Sequence, residues 1–407
     1  MDRNNLPLKN ITVCDFSWVG AGPIATNILG QFGANIIKIE SRSKPEVLRK
    51  GYPFKDGKQG IERSGYFANR NPNKRSISLN MKVPEARDVV VRLIEKSDIV
   101  INNFRAGQME KWNLGYEDVQ KIKRDIIYVT MSIQGDKGPY SHSAGFGVTL
   151  NALVGFTHLT ANPEGEPLGT GTSYTDHIAV PTHTLVGIMA ALLNRDRTGA
   201  GQRVEVPQAQ AAICLKPLDI MDYAANRRIQ QPLGVRDANA APHGVYKVLG
   251  YRKWIAIAVF SDDQWCVFKE AMGYPDWAED DTFDTLSGRL DNQDILDQQI
   301  EKWTETQDGK QLQHRLMESG VPAGMVQDAR ATIEDPQLAQ QDFWAYLDHP
   351  EVGITLYNKV PMRFSKTPAV MKTAAPLLGK HTREVLTDFL AYSDAEFEEM
   401  KNKKVFD

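Results

Sequence analysis

The 407-residue sequence has little of what marks several large classes of protein. Its formal net charge is −3, so it lacks the basic excess that is typical of nucleic-acid-binding proteins. Its three cysteines, Cys14, Cys214 and Cys266, are scattered and odd in number, which favours reduced thiols over a disulfide framework. Its eight histidines form no HExxH or Cys/His cluster, so we expect neither a structural nor a catalytic metal. The sequence therefore predicts no nucleic-acid partner and no metal site.

Signals for membranes and export are also lacking. The longest apolar runs are interrupted well short of the roughly 20 residues that span a bilayer. The first ten residues, MDRNNLPLKN, lack the apolar core of a signal peptide. The composition, 42% hydrophobic and 24% charged, is that of a soluble chain long enough for two or three domains. We therefore expect a cytoplasmic protein with no membrane segment.

The N-terminal region contains a predicted strand, a glycine turn, a helix and a second strand. The strand at 11–16 leads into WVGAGPIATNILGQFGANIIKIE, in which Gly20, Gly22 and Ala25 match the pattern G-x-G-x-x-A. Glu40 then stands where a dinucleotide-binding protein places its ribose-binding acid. The pattern predicts a Rossmann-like βαβ unit. A nicotinamide cofactor is the weaker interpretation, because such glycine patterns are common and no hydride-transfer motif follows.

The alternation of strands and helices continues to about residue 176. Further strands are predicted at 36–39, 76–79, 98–102 and 126–132, with helices from Pro84 and from Val148. Segment 41–66 is polar and irregular, and it predicts a long surface excursion. The alternation favours an α/β fold with a mostly parallel, doubly wound sheet.

Several basic residues lie near the predicted carboxyl ends of these strands, where ligands bind in open α/β sheets. Asn103, Phe104, Arg105 and Lys111 follow one strand directly. A multiply phosphorylated ligand is one interpretation of this basic set, although a surface cation is more often simply solvated. Its members are Lys74, Arg75, Lys82, Arg105 and Lys111.

Residues 167–202 combine a glycine-rich approach, an acidic residue and an amphipathic helix. Asp176 precedes a helical stripe of Leu185, Ile188, Met189, Leu192 and Leu193, and the helix should end before Gly199. Two interpretations of Asp176 stay open on these residues alone. It caps the helix N-terminus, as Asp commonly does, or it is an ionised nucleophile toward an activated acyl group.

The second half of the chain predicts a smaller α+β domain. The Pro-, Gly- and Ala-rich segment 231–248 is a boundary, followed by strands at 245–249 and 254–259, helices at 264–272 and 299–319, and a sharp turn at 320–326. Ser393 and Glu396 form a predicted capping box. The predicted division is a large domain (1–205), a linker (206–235), a small domain (236–330), a return linker (331–377) and C-terminal helices rejoining the large domain (378–407).

Over nearly its whole length the chain resembles the class III coenzyme A transferases, the family of formyl-CoA transferase and carnitine CoA-transferase. The resemblance is carried by FSWVGAGPIATNILGQFGANIIKIE, NPNKRSISLNMK, INNFRAGQMEKWNLGY, the TDH that contains Asp176, RDRTGAGQRVEV, APHGVYKV, GVPAGMV and LGKHTREVL. Each stretch alone is weak, but the set in this order is specific.

The resemblance implies a reaction and an architecture. In the family, the aspartate that matches Asp176 attacks the thioester of an acyl-CoA and then carries CoA as an aspartyl thioester until an acceptor acid enters. The substrates are an acyl-CoA and a carboxylic acid, coenzyme A is substrate and product, and no metal or NAD is needed. The implied fold is a Rossmann-like large domain with a small domain, in an interlocked homodimer.

The resemblance and the strand-end positions together predict the residues that contact CoA. Three depart from the family pattern: Lys111 stands where arginine is common, Arg42 lies one residue past the usual basic position, and Gln134 stands where some members have lysine. The predicted contacts are Val19, Gly20, Ala21, Arg42, Leu79, Lys82, Asn103, Phe104, Arg105, Lys111 and Gln134.

Two further departures bear on substrate and reaction. DANAAPHGVY occupies the region where formyl-CoA transferase has a glycine run, so we expect a bulkier acid than oxalate or formate. The similar α-methylacyl-CoA racemases use a histidine where Phe146 stands here, which weakens that alternative, although His142 is near in sequence. A nicotinamide-dependent oxidoreductase and a non-catalytic CoA-binding protein are the more remote alternatives.

Overall fold

The structure, a computed structural model, describes residues 5–163 and 165–406. Contacts among these residues divide the chain into two units. Residues within 1–156, 170–228 and 339–407 form the first unit, and those within 157–169 and 229–338 form the second. The domain boundaries given above stay a prediction.

A parallel sheet forms the centre of the first unit. Its strands are β1 (Thr12–Asp15), β2 (Asn35–Glu40), β3 (Lys74–Ser78), β4 (Ile99–Asn102), β5 (Ile127–Thr130) and β6 (Gln202–Glu205). Within the described ranges their order is β3-β2-β1-β4-β5-β6, and every neighbouring pair is parallel. The predicted α/β class with a parallel sheet is confirmed.

The helices in chain order are α1 (Ala21–Gln31), α2 (Gly65–Arg70), α3 (Pro84–Glu95), α4 (Tyr116–Ile122), α5 (Gly147–Leu153), α6 (Phe156–Leu159), α7 (Val180–Thr198), α8 (Gln208–Ile213), α9 (Pro217–Asn226), α10 (Asp262–Met272), α11 (Leu286–Asp291), α12 (Gln293–Thr304), α13 (Gly309–Glu318), α14 (Ala329–Ile333), α15 (Pro336–Gln340), α16 (Thr382–Glu384) and α17 (Asp394–Asn402). Two π-helical turns, Thr175–Ala179 and Val385–Phe389, directly precede α7 and follow α16.

Side chains alternate between two cores on the two faces of the sheet, as the period of two in a strand requires. Cys14 and Val100 pack on one face with Val90 and Leu93 of α3. Val13 and Ile99 pack on the other face with residues of α1 and α7. Burial on both faces explains why these strands read as nearly continuous apolar runs.

The second unit has its own antiparallel sheet of β7 (His243–Lys247), β8 (Trp254–Ala258) and β9 (Ala323–Met325). Its core includes Trp265, Phe268 and Leu296, all fully buried. A hairpin of β10 (Trp344–His349) and β11 (Gly353–Asn358) belongs to the first unit.

Several predicted elements differ from the structure in the second half of the chain. The single helix predicted at 299–319 is two helices, because α12 ends at Thr304 and α13 begins at Gly309. Asp308 caps α13 by accepting a hydrogen bond from the Gln311 amide. The predicted turn at 320–326 contains β9, and the β10–β11 hairpin was missed. The capping box of Ser393 and Glu396 is confirmed at the start of α17.

The buried stripe of α7 differs in part from the predicted one. Thr184, Ile188 and Leu192 are buried, whereas Leu193 is 62% exposed, so that position was wrongly predicted as inward. The helix ends at Gly199, which has the left-handed backbone (φ 70°) of a C-terminal glycine, as predicted. By length and composition alone, Thr175–Thr198 would suffice to cross a membrane, contrary to the sequence reading of short apolar runs. A core helix passes the same test, and α7 packs on the sheet.

Segment 41–66 is largely irregular with many exposed residues, as its composition predicts, but part of it is buried. Glu46, Leu48 and Arg49 are buried, and Arg49 lies in a short 3-10 turn. Arg49 donates to both carboxylate oxygens of Glu40 at 2.7 and 2.8 Å, and its guanidinium lies 3.7 Å from the centre of the Phe67 ring. This part of the segment is buried because its charged side chains pair with residues at the end of β2.

These contacts belong to a buried ionic network beneath the carboxyl end of the sheet. Lys38 reaches Glu46 at 2.6 Å and donates to the Ser17 carbonyl at 2.7 Å. Lys74 reaches Asp15 at 3.3 Å. The network joins three carboxylates to three cations, all at most 3% exposed: Asp15, Glu40, Glu46, Lys38, Arg49 and Lys74.

The first prediction concerns this network. Arg49→Met should lower the free energy of unfolding by about 3–5 kcal/mol, because Glu40 stays buried after losing its charged partner. Urea titration followed by tryptophan fluorescence measures the change. The matched control is Arg383→Met, which removes exposed pairs with Asp394 and Glu398 and should cost less than about 1 kcal/mol. Equal effects of the two substitutions would contradict a stabilising role for the Arg49 pair.

Candidate active site

A cavity of about 610 Å³ lies at the carboxyl edge of the parallel sheet. The segments that follow β1, β2, β3, β4 and β5 all contribute to its lining. This is the edge where open α/β sheets bind ligands, because the loops after parallel strands converge there.

Most of the predicted contact residues line this cavity together. They are Val19, Gly20, Ala21, Leu79, Lys82, Asn103, Phe104 and Arg105, and Asp176 lines it as well. Their roles stay predictions, but the structure brings them to one site.

Three predicted contacts are not among the lining residues. Arg42 donates to the Leu378 carbonyl at 3.1 Å, and Lys111 is exposed in a short turn at 110–112. Gln134 lines a separate, smaller cavity of about 260 Å³ with Lys137 and Glu205.

Lys74 and Arg75 cannot serve the cavity as phosphate ligands. Lys74 is fully enclosed by Asp15, Thr26 and Asn71, and burial lowers its pKa to about 8. Arg75 is held by Asn35 at 2.6 Å. The cations that do line the cavity are Lys44, Lys82 and Arg105.

Three aromatic rings that sequence reasoning missed, Phe16, Trp18 and Trp112, join the predicted Phe104 in the apolar wall. Phe104 packs edge-on against Trp18 and against Trp112, each with ring centres 5.8 Å apart, and Phe16 lies 6.2 Å from Trp112. No local pattern marks these rings as a group, since they follow different strands. Apolar walls with separate cations suit a ligand that has a long apolar arm and anionic groups.

The glycines of the N-terminal pattern make room for close packing. A Cβ on Gly20 would lie 3.1 Å from the Cβ of Asp176, and one on Gly22 would collide with Ser17. Val19 has a positive φ of 65°, rare for a β-branched residue, and its amide donates to Glu46 at 2.8 Å. The backbone conformation of this turn is therefore set by its contacts with Ser17, Glu46 and Asp176.

The same region opposes a nicotinamide cofactor. Glu40, the expected ribose ligand, is 3% exposed, and Arg49 occupies both of its oxygens. Ser76 also donates to it, at 2.9 Å. A carboxylate engaged in this way is not available to a ribose hydroxyl.

Asp176 lies inside the π-helical turn Thr175–Ala179 and not at a capping position. Tyr174 precedes the turn with helical backbone angles, and no side chain caps it. The capping interpretation of Asp176 is therefore wrong. Single π-helical turns often occur at functional sites, because they present a side chain out of the regular helical register.

The carboxyl group of Asp176 is only partly compensated. Burial raises its pKa to about 6, while hydrogen bonds from the Ser173 hydroxyl and the Gly147 amide act in the opposite direction. A Cβ on Gly147 would collide with the side chains of Ser173 and Asp176, so the close approach of that amide requires glycine. At neutral pH the group is mostly ionised and more basic than an ordinary aspartate.

His177 directly follows Asp176 in the chain, and sequence reasoning did not single it out. Its Nε2 lies 3.1 Å from the Tyr66 hydroxyl and its Nδ1 lies 3.0 Å from Thr172 Oγ1. Burial, together with the charge of Arg70, lowers the pKa of His177 to about 4. This imidazole is neutral at physiological pH.

Phe146 and His142, the two positions considered for the second base of a racemase, do not place a base at the cavity. Phe146 lines the cavity with its ring 63% exposed, whereas His142 is exposed and is not among the lining residues. A second base opposite Asp176 is therefore not supplied by either position. Among the residues that the structure describes, no group of three or more His, Cys, Asp or Glu side chains is arranged to hold a metal ion.

Comparison with known proteins gives consistent matches. The model of CoA-transferase family III matches residues 8–382. The succinyl-CoA–D-citramalate CoA-transferase of Chloroflexus aurantiacus is 31% identical over 401 residues, 98% of each chain. The succinyl-CoA:mesaconate CoA-transferase of Haloarcula hispanica is 30% identical, covering 94% of this chain and 96% of its own. A solved CAIB/BAIF family protein from Brucella suis has a TM-score of 0.85 at 28% identity, covering 95% of this chain and all of that one.

The second prediction follows from the raised pKa of Asp176. A buried carboxyl whose pKa is higher in the folded than in the unfolded state loses stability as pH rises from about 4 through 6. Asp176→Asn should therefore raise the free energy of unfolding at pH 8 by about 1–3 kcal/mol. The gain in stability should vanish near pH 4, where both the protonated Asp176 of the wild type and the asparagine of the variant are neutral in the folded protein.

Urea titrations of both proteins at pH 4, 6 and 8 measure this difference. Asp348→Asn is the matched control, because Asp348 is exposed in β10 and its change should give a small, nearly constant effect. A stability difference for Asp176→Asn that does not change with pH would contradict the raised pKa.

Proposed function

Because the chain belongs to CoA-transferase family III and is an enzyme that transfers coenzyme A, we propose that Asp176 is the nucleophile. One observation carries the proposal: a basic, largely buried carboxylate lines the cavity at the carboxyl edge of the sheet. A bound acyl-CoA thioester would meet this carboxylate with most water excluded, which favours nucleophilic catalysis.

The proposed reaction has four steps and needs no external oxidant or reductant. An oxygen of Asp176 attacks the thioester carbonyl, the C–S bond breaks, and a mixed anhydride and the CoA thiolate form. The thiolate attacks the Asp176 carbonyl carbon and releases the donor acid. The acceptor carboxylate attacks the resulting aspartyl-CoA thioester, and the thiolate then attacks the new anhydride to give the product acyl-CoA and free Asp176.

Ser173 and Gly147 stabilise negative charge on the Asp176 carboxyl group during these steps. Both donate to the Asp176 carboxylate in the free protein. When the Asp176 carbonyl becomes tetrahedral, the same donors stabilise the negative oxygen that develops on it. The donors are fixed by packing, so little reorganisation is required.

The cavity suits coenzyme A by shape and charge. The apolar wall of Trp18, Phe104 and Trp112 suits the pantetheine arm or the adenine ring, and Lys82 and Arg105 suit phosphate groups. The proposed contacts are supported by the convergence of these side chains at one cavity.

The proposed donor is succinyl-CoA, and the proposed acceptor is a dicarboxylic acid. This rests on the relatives, whose names pair succinyl-CoA with citramalate, malate, mesaconate or glutarate. All four acids have two carboxyl groups. This proposal agrees with the expectation of an acid bulkier than formate or oxalate.

A homodimer in the cytoplasm stays part of the proposal. Apolar side chains exposed on α7 and α9 favour a partner chain: Val186 is 70% exposed, Leu193 62% and Leu218 80%.

The third prediction tests the nucleophile. Incubation with succinyl-CoA and hydroxylamine should convert Asp176 to a hydroxamate, because hydroxylamine attacks the carboxyl group only when it is activated as an anhydride or a thioester. Peptide mass spectrometry of the segment GTGTSYTDH detects the product. Asp176→Asn should give no adduct and at least a thousandfold lower transfer rate, by comparison with the loss of other catalytic groups. Its CoA binding should be nearly unchanged.

Two outcomes would contradict the proposal. One is full transfer by Asp176→Asn without deamidation back to aspartate. The other is exchange of an α-proton of the acyl-CoA with solvent deuterium in the absence of an acceptor acid, which is the base chemistry of a racemase.

The fourth prediction tests whether Lys82, which lines the cavity, contacts a phosphate group of CoA. Lys82→Met should weaken CoA binding by about 1–2 kcal/mol, because a charge-assisted phosphate contact is lost. Isothermal titration with CoA measures the change. Lys111→Met is the matched comparison, since Lys111 is exposed outside the lining, and it should have the smaller effect. A larger loss for Lys111 than for Lys82 would mean that the phosphates lie elsewhere.

A further inference from the structure

Arg70, the last residue of α2, carries a half-buried guanidinium group that lacks a carboxylate partner among the residues described. Its Nε is buried with no hydrogen-bond acceptor, and its Nη1 donates to the neutral side chain of Asn69 at 3.1 Å. By contrast, two arginines whose side chains are fully buried each have an acidic partner. Arg49 pairs with Glu40 at 2.7 Å, and Arg289 pairs with Asp262 at 3.0 Å.

A short chain of contacts through Tyr66 and His177 links Arg70 to the proposed nucleophile. Its guanidinium carbon is 5.4 Å from the centre of the Tyr66 ring. The Tyr66 hydroxyl is 3.1 Å from Nε2 of His177, which directly follows Asp176 in the π-helical turn. The charge of Arg70 contributes to the low pKa of His177, so the two groups interact electrostatically.

This contact chain is separate from the proposed CoA subsite. Asp176 lines the 610 Å³ cavity, whereas Tyr66, Arg70 and His177 are not among its lining residues. All three are half-buried and therefore keep some access to solvent. Asp176 therefore lines the cavity and adjoins this cluster through its chain neighbour His177.

A buried cation without an anionic partner is unfavourable, and it is strongly stabilised by a carboxylate that arrives with its own hydrogen bonds. Tyr66 forms a side-chain hydrogen bond with Arg70, but neither Tyr66 nor the neutral imidazole of His177 supplies a carboxylate. Arginine is suited to the task, since its planar fork matches the two oxygens of a carboxylate.

We propose that Arg70 binds the distal carboxylate of a dicarboxylic acid whose other carboxyl group reacts at Asp176. This inference rests on the proposed function and adds a specificity-determining residue to it. An acid with one carboxyl group would leave the guanidinium uncompensated, so Arg70 favours dicarboxylic over monocarboxylic acceptors and donors.

The test compares glutarate with valerate, which has the same five-carbon chain and one carboxyl group. The full-length protein is assayed with a saturating, common donor, succinyl-CoA, and the acyl-CoA products are quantified by mass. Because the donor half-reaction is shared, any effect of a substitution on it cancels in the ratio of kcat/KM for the two acids. Wild-type protein should favour glutarate, and Arg70→Met should lower the ratio at least tenfold, chiefly through the KM for glutarate.

Two further variants keep the test decisive. Arg70→Lys keeps the charge without the fork and should give an intermediate ratio. Arg197→Met, at an exposed position near the end of α7, should leave the ratio unchanged. CoA binding by each variant, measured by titration, should equal that of the wild type.

The outcomes separate this inference from the proposed function. If wild-type protein transfers CoA but prefers valerate, or if Arg70→Met leaves the glutarate-to-valerate ratio unchanged, Arg70 does not bind a distal carboxylate. If wild-type protein transfers CoA to neither acid and forms no hydroxamate at Asp176, the proposed function itself fails.

Discussion

The ion pair between Lys38 and Glu46 is the interaction on which the geometry of the site depends. Lys38 also donates to the Ser17 carbonyl, and Glu46 accepts from the Val19 amide, so two buried charges fix the first turn after β1. They hold Val19 at a backbone angle that a β-branched residue rarely adopts. A turn held this firmly gives the cavity a fixed wall, and the packing around Asp176 follows from that wall.

Asp176 lies where two glycines let the backbone come close. Gly20 admits the aspartate Cβ from one side, and Gly147 admits its carboxylate and the Ser173 side chain from the other. The resulting burial raises the pKa of Asp176, and a more basic carboxylate is a better nucleophile toward a thioester. Close packing and reactivity are therefore consequences of the same two positions.

The site contains charge that the free protein does not fully compensate. Asp176 is ionised at a pH where its burial disfavours ionisation, and the half-buried Arg70 has no acidic partner among the described residues. Both lower the stability of the free protein, and both are compensated by the substrates proposed here: a thioester that Asp176 attacks and a carboxylate that Arg70 binds. Functional residues commonly trade stability for activity in this way.

The sequence by itself determined the parallel sheet, because the alternation of strands and helices has few arrangements once each strand is buried on both faces. The rule that loops after parallel strands share one edge was enough to group Asn103, Phe104 and Arg105 at a ligand site, and the family resemblance added Val19 and the candidate nucleophile Asp176. The tertiary structure alone decided which charges are buried, since Lys74 and Glu40 look like ligand contacts until their partners are seen. It also decided that Asp176 lies in a π-helical turn and that Tyr66 joins Arg70 to His177, because such contacts join residues about a hundred positions apart and leave no local pattern in the sequence.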